Sequence, residues 1–360
     1  MKITRAETRQ FSMEEGESTL VFLHTDSGIT GVGETTTPNQ PETLRAAIEE
    51  AKPRILGFDP FDVNAIEARL GCGSDKTCDN MLLRVVCAIE AACLDIVGKK
   101  LGVPVFQLFG GSVREELRMC ATGWEHLDDP PEDYARRARE ISDSGFTVIK
   151  FEPFDHAGSS IDGLPLERAV EITCKIREAV GKDVDLIADA NGRFTPAEGI
   201  RVANALEPFG LMWLEDLIGT DELDSLERVA SAVDVPLAIG GRMVGSRGFR
   251  EVIERQLVDF VQADNHNVGG ISRTRSIALL AESYYMRFAL HHSGGPVALA
   301  MNAQIAACAP NIAMVEMPYL PRPLWNKVMK VPFEQCNGFL RVPLGPGLGV
   351  EYCAELLNSA

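Results

Sequence analysis

The sequence predicts an α/β protein: a closed parallel barrel with a smaller α+β domain in front of it. From about residue 118 onward, short apolar runs alternate with helical stretches rich in Ala, Glu and Arg, and there are eight such runs, the number that closes a parallel barrel. The residues before them follow another pattern, a strand meander and then helices. A chain of 360 residues with 45% hydrophobic content is long enough for both units.

The meander consists of KITRAETRQF, STLVFLHTD and ITGVGETT, with alternating or β-branched apolar positions and a turn at Ser27-Gly28. Pro41 opens a helix with Glu42 in its first turn, and the span from Asn80 to Leu101 is apolar at helical spacing with Gly102 beyond its end. Residues 1–115 are therefore expected to form the α+β domain. The eight later runs are RMCAT, FTVIKFE, DLIAD, LMWLED, PLAIG, DFVQAD, RFALHH and IAMVEM, and they place the barrel over residues 116–325.

Composition excludes several function classes. No apolar run reaches the roughly 18 to 20 residues of a membrane span, and MKITRAETRQ lacks the apolar core of a signal peptide, so a cytoplasmic location is expected. Nine cysteines with no CxxC pair argue against a disulfide framework or a zinc knuckle, and predict reduced thiols, mostly in the core. A formal charge of −17 opposes nucleic acid and anionic membranes, which leaves a small molecule as the expected partner. An anionic one would need a local cluster of positive charge.

The polar ends of the runs are regularly spaced: 26 residues from Asp189 to Glu215, 26 to Gly241, 23 to Asp264, 27 to His291 and 25 to Glu316. In a parallel barrel the C-terminal strand ends face one mouth, so these residues converge. Asp189 and Glu215 on neighbouring strands suit a hard cation such as Mg²⁺, or else a carboxylate pair bound by Arg193 and Arg242. Asp264 can hold the His291 imidazole in one tautomer and raise its basicity, or the pair is a structural hydrogen bond. Lys150, with Glu152 two residues later, enters the mouth on the opposite side from His291.

At these residues the chain resembles the enolase superfamily, in its mandelate racemase-like branch, the mandelate racemase/muconate lactonizing enzyme family. The resemblance lies in TDSGITGVGE, CAIEAACLDIVGKKLGVPVFQLFGG, DANGR, WLED, DNHNVGGIS, HHSGGPVALA and GFLRVPLGPGLGVE, and so covers nearly the whole chain. It implies a (β/α)7β TIM-like barrel under an α+β capping domain, with residues 326–360 returning to the cap. It also implies abstraction of a proton α to a carboxylate, with the enediolate held on Mg²⁺. By resemblance Asp189 and Glu215 match metal ligands, Asp264 and His291 the base or acid dyad, and Glu316 the group that hydrogen-bonds the substrate carboxylate. His291 rather than His292 takes the base position, five residues before Pro296. Such enzymes are commonly symmetric homo-oligomers.

Two departures shape the expectation. The family's third acidic metal ligand falls on Gly241, which leaves either a weakened magnesium site, the gap filled by Asp264, Asn191 or a chelating substrate, or a metal-free site in which Arg242 turns inward onto both carboxylates. Racemases of this type carry a second lysine after the first, whereas this chain has Lys150-Phe151-Glu152, so a symmetrical two-base exchange is disfavoured. KFEPF is similar to the KFDPF of galactonate dehydratase-like proteins, although Asn191 stands where those carry a histidine. The reading that follows is dehydration of an acid sugar, with Lys150, Glu152, Asp264, His291 and Glu316 at the chemistry. The alternatives are a racemase or epimerase of a hydroxy acid, and a non-catalytic binding protein.

Overall fold

The computed structural model describes residues 1–13, 16–37, 39–72, 78–126, 128–154, 164–220, 222–319, 325 and 328–353. The chain begins with an antiparallel sheet of β1 (Ile3–Met13), β2 (Gly16–Thr25) and β3 (Thr30–Thr36), followed by α1 (Pro41–Ile55), α2 (Val63–Leu70), α3 (Asn80–Leu101) and the short α4 (Val105–Leu108). The barrel then runs through β4 (Glu116–Thr122), α5 (Pro131–Asp143), β5 (Val148–Phe151), α6 (Leu164–Val180), β6 (Asp185–Asp189), α7 (Pro196–Leu206), β7 (Trp213–Glu215) and α8 (Leu223–Ala230). It continues with β8 (Leu237–Ile239), α9 (Arg247–Glu254), β9 (Phe260–Ala263), α10 (Asn265–Val268), α11 (Ile271–Ser283), β10 (Arg287–Leu290), α12 (Pro296–Cys308) and β11 (Ile312–Pro318). Each of the eight expected runs is a strand. They neighbour one another in chain order, and β11 pairs in parallel with β4 from Val315↔Met119 to Pro318↔Thr122, which closes the ring as (β/α)7β.

Helix α3 is the beam between cap and barrel. The Asp79 side chain accepts from Leu82 N at 2.8 Å to cap its start, and Gly102 ends it in the left-handed region at φ 74°. Both its faces are buried, because the cap sheet lies on one and barrel elements on the other. A Cβ at Gly31 or Gly33 would run into the carbonyl oxygens of Ala92 and Ala88, so β3 rests directly on the helix backbone.

Carboxylates of the cap fasten it to the barrel by capping barrel helices. Glu34 of β3 accepts from the backbone N–H groups of Gly295, Val297 and Ala298 at the start of α12, and from Ser18 Oγ. Glu90 of α3 accepts from Ile271 N at 2.8 Å and Ser272 N at 2.9 Å, the start of α11. These helix ends would otherwise leave buried donors without partners, and a carboxylate there also meets the positive end of the helix dipole.

After β11 the chain forms β12 (Gln335–Cys336) and β13 (Phe339–Arg341), and β13 lies antiparallel on β4 from Phe339↔Arg118 to Arg341↔Glu116. It then reaches the cap: Leu348 N donates to Asp95 Oδ1 of α3 at 2.9 Å, and the Tyr352 ring packs on Phe22 at 4.7 Å between centroids. The segment thus touches both units; residues 326, 327 and 354–360 of it lie outside the described residues.

One expectation is corrected. Cys72 and Cys78 form a disulfide, with Cα atoms 5.3 Å apart across six residues, so the cysteines are not all reduced. A spacing wider than CxxC gave no pattern to read. Seven cysteines are free, and Cys87, Cys93, Cys120 and Cys308 among them are buried. Among the described residues no helix is long and apolar enough to cross a membrane.

Glu34→Ala removes the acceptor for three buried helix donors, Gly295, Val297 and Ala298. It is expected to lower stability in urea denaturation by about 3 kcal/mol. A loss below about 1 kcal/mol would mean that the cap is not fastened there.

Candidate active site

The barrel geometry brings the strand-end residues to one mouth. Asp189 and Glu215 are the last residues of β6 and β7 and stand in register. Lys150 is the third residue of β5, Glu316 the fifth of β11, and Asp264 and His291 directly follow β9 and β10.

Lys150 is the centre of the floor. Its Nζ lies 2.9 Å from Asp189 Oδ2 and 2.8 Å from Glu316 Oε1, and it also donates to Glu215 Oε1. The lysine side chain is 8% exposed, and none of its carboxylate partners more than that. Burial by itself would strip the proton, but the three negative charges outweigh it and hold the ammonium well above the usual lysine range. In return Asp189 and Glu316, which burial would push up, are held below the usual carboxylate range, with Lys150 the principal opposing charge, whereas burial and its carboxylate neighbours outweigh the lysine at Glu215 and push it well above that range.

The second group is the histidine dyad. His291 Nδ1 lies 2.7 Å from Asp264 Oδ2, while Nε2 faces Glu316 Oε2 at 3.7 Å. Asp264 also accepts from Ser293 Oγ at 2.6 Å and caps α10 by accepting from His266 N at 2.7 Å. Burial opposes its ionisation, but the neighbouring histidines and these hydrogen bonds hold it far below the usual range. Burial likewise opposes charge on His291, yet Glu316 and Asp264 raise it to about 9. His292 turns away, its ring against Trp325 at 5.5 Å, and burial lowers it to about 4.

The Gly-Gly pair resolves into two different roles. Gly240 has φ 128°, and a Cβ there would strike the Gln262 carbonyl oxygen. Gly241 has no positive φ; a Cβ would come 3.2 Å from His291 Cδ2 and 3.3 Å from Gln262 Oε1. Arg242 does not turn onto Asp189 and Glu215. Its Nε lies 3.4 Å from Asp216 Oδ2, and it donates to Asn191 Oδ1. The cation between the two carboxylates is instead the Lys150 ammonium.

That ammonium also tests the implied magnesium. Asp189 and Glu215 do converge on one cation, so the pair is a cation site. Among the described residues, however, no group of three or more His, Cys, Asp or Glu side chains is arranged to hold a metal ion. The donors fit a divalent ion with two protein carboxylates and the rest of its shell from water or substrate.

Above this floor is a cleft of about 330 Å³, lined among others by Asp189, Glu215, Asp264 and His291 and, from the cap, by Asn80 and Arg84. Lys150, Glu316 and Glu152 are not part of the lining: the first two adjoin it through Asp189, Glu215 and His291, and Glu152 Oε2 accepts from Asn191 Nδ2 at 2.6 Å, which makes it a support for Asn191. Arg193 donates to the Ala190 and Phe154 carbonyls. Sequence reasoning overlooked Asp216, Asn267 and Arg84, all of which line the cleft. Burial pushes Asp216 up to about 6, with Asp189 adding to the effect. The signal for Arg84 was present: it interrupts the apolar pattern of α3 at a buried position.

Family models match both parts of the chain: the mandelate racemase / muconate lactonizing enzyme N-terminal domain over residues 4–110, and the enolase C-terminal domain-like family over residues 133–356. The chain belongs to the mandelate racemase/muconate lactonizing enzyme family. It is thereby a member of the enolase superfamily. A D-xylonate dehydratase of Haloferax volcanii is 30% identical over 341 residues, covering 92% of this chain and 82% of the relative. A D-galactonate dehydratase of Variovorax paradoxus is 30% identical over 368 residues, covering 100% and 94%. A crystal structure of a mandelate racemase/muconate lactonizing enzyme from Sulfitobacter sp. superposes with a TM-score of 0.91 at 30% identity, covering 100% of this chain and 95% of that one.

The two glycines are separable by stability. Gly240→Ala places a side chain at positive φ against a carbonyl and is expected to cost about 3 kcal/mol, whereas Gly241→Ala is expected to cost no more than about 1. Equal losses in urea denaturation would remove the distinction.

Proposed function

We propose that this protein dehydrates an acid sugar by removing the proton α to its carboxylate, with His291 as the base and Lys150 as the fixed positive charge beneath the substrate. The observation that carries the reading is that His291 is oriented by Asp264 while Lys150 is held charged by three carboxylates. The dehydratases among the relatives support the substrate class.

An α-proton beside a carboxylate is far too weakly acidic for a side-chain base unless the developing charge is neutralised as it forms. Lys150 is placed for that work, and it is preorganised because its carboxylate partners hold it without any rearrangement. Mg²⁺ bound at Asp189 and Glu215 would supply further neutralisation of the enediolate. Glu316 is ionised beside the lysine and faces His291 Nε2 at 3.7 Å, where it favours the imidazolium that forms when the α-proton is taken.

The same arrangement disfavours racemisation. A two-base exchange needs a neutral amine on the face opposite the histidine, and Lys150 is kept charged. One histidine can instead perform both proton steps of a dehydration. Neutral His291 takes the α-proton at Nε2, and the imidazolium, stabilised by Asp264, returns a proton to the departing β-hydroxyl as water leaves. Atoms balance, since the acid sugar loses one proton and one hydroxide.

Incubation of acid sugars in deuterated water tests the reading. A dehydrated keto acid carrying deuterium at the former β-carbon, where the enol takes up a solvent deuteron, is expected; a protein that binds acid sugars without forming it would contradict the reading. His291→Asn is expected to abolish dehydration with the fold retained, and His292→Asn to have a milder effect. Because the active base is neutral and His291 lies at about 9, kcat/KM for dehydration should climb from pH 7 toward pH 9. At pH 7 only about one imidazole in a hundred is neutral. A profile flat over that interval would exclude His291 as the base.

Lys150→Met takes the resident cation away from Asp189 and Glu215. Mg²⁺ binding, followed by calorimetry, is expected to tighten at least about ten-fold as turnover falls by about 10² or more. Unchanged Mg²⁺ affinity would show that the ammonium and the metal do not compete.

A further inference from the structure

The roof of the cleft carries a second buried cation that the proposed chemistry does not use. Arg84, in the first half of α3, is 8% exposed and lines the cleft that also holds Asp189, Glu215 and His291. Its Nε donates to Asn80 Oδ1 at 3.2 Å, one terminal nitrogen to the Thr36 carbonyl, and the other to Asn267 Oδ1 at 2.5 Å. All three acceptors are neutral, and Arg84 forms no ion pair among the described residues. A guanidinium has five N–H donors, so two remain, one on each terminal nitrogen, the fork that grips a carboxylate.

A buried charge is normally paired, because desolvation costs several kcal/mol per ion if it is not. Here the neutral acceptors fix the orientation of the guanidinium, and the opposing charge that acts on it, the Asp264 carboxylate, is not hydrogen-bonded to it. Asn267 anchors the arrangement further by donating from Nδ2 to the Gly241 carbonyl at 2.7 Å, so the cation is tied to the barrel at the turn after β8. Gly241 brings no charge to the side of the cleft while Arg84 brings a positive one to its roof, which favours a negative group on the occupant there.

We propose that Arg84 recognises a second carboxylate at the far end of the substrate, so that the preferred substrates are sugar diacids rather than the corresponding monoacids. The inference rests on the acid-sugar reading above. One carboxylate would lie at the floor beside His291, above Lys150 whose three donors are held by Asp189, Glu215 and Glu316, and the other would meet the fork of Arg84 at the roof, with the carbon chain and its hydroxyls between them. A monoacid presents a terminal hydroxyl to Arg84 and leaves the charge uncompensated.

The test compares pairs matched in configuration: D-glucarate with D-gluconate, and galactarate with D-galactonate. For each, kcat/KM of dehydration and calorimetric affinity are measured with the full chain. In at least one pair the diacid is expected to exceed the monoacid at least ten-fold, and Arg84→Gln is expected to reduce that ratio at least ten-fold. Arg84→Lys, which keeps the charge but loses the fork, should retain part of the preference and serves if the glutamine variant does not fold. Monoacids preferred in both pairs, or a ratio unchanged by Arg84→Gln, would overturn the diacid inference while leaving acid-sugar dehydration standing. If none of the four acids is turned over, the dehydration reading fails, and calorimetric affinity alone then decides whether Arg84 selects a diacid.

Discussion

One ammonium holds the mouth of this barrel together. Lys150 meets Asp189, Glu215 and Glu316, which come from β6, β7 and β11, so three strands far apart in sequence are tied through a single proton-bearing nitrogen. Carboxylates so close could not all stay ionised on their own. The lysine permits it for Asp189 and Glu316, while burial and the neighbouring carboxylates push Glu215 well above the usual range, and the cluster in turn keeps the lysine charged although it is buried. Everything proposed for the chemistry depends on this exchange: the fixed charge under the substrate, the single-base mechanism and the modest appeal of the site to a divalent ion.

The cap uses the same economy of charge for a different end. Glu34 and Glu90 each reach from the cap to the N-terminus of a barrel helix, satisfying backbone donors that lie within the interface. The glycines of ITGVGE matter because β3 must lie on the backbone of α3 for Glu34 to reach α12. Since α3 also carries Arg84 and Asn80 over the cleft, the contacts that dock the cap also set the height of the roof. Packing and specificity are here consequences of one interface.

Much of this was legible in the sequence. Eight apolar runs with polar ends at nearly constant spacing implied a ring of strands and the convergence of Asp189, Glu215, Asp264, His291 and Glu316. Asn80 to Leu101 read as a helix because its period and terminal glycine agreed. What spacing could not supply was side-chain direction. Arg242 follows Gly241 and could have faced the carboxylates, but its strand end aims it at Asp216 and Asn191. Glu152 follows Lys150 by two residues, yet the chain has left β5 by then and its carboxylate supports Asn191. The Cys72–Cys78 disulfide escaped for another reason, since two cysteines six positions apart match no spacing that marks a pair.

The central claim is that Lys150 remains an ammonium throughout the working range, and ¹⁵N NMR of the lysine side chains reads this directly. With Lys150→Met identifying its resonance, the Nζ signal is expected to keep the shift of a charged amine from pH 6 to beyond pH 10, in keeping with a site held well above the ordinary lysine range. Loss of its proton below about pH 8 would mean that burial outweighs the three carboxylates, and would return Lys150 to the role of a second base.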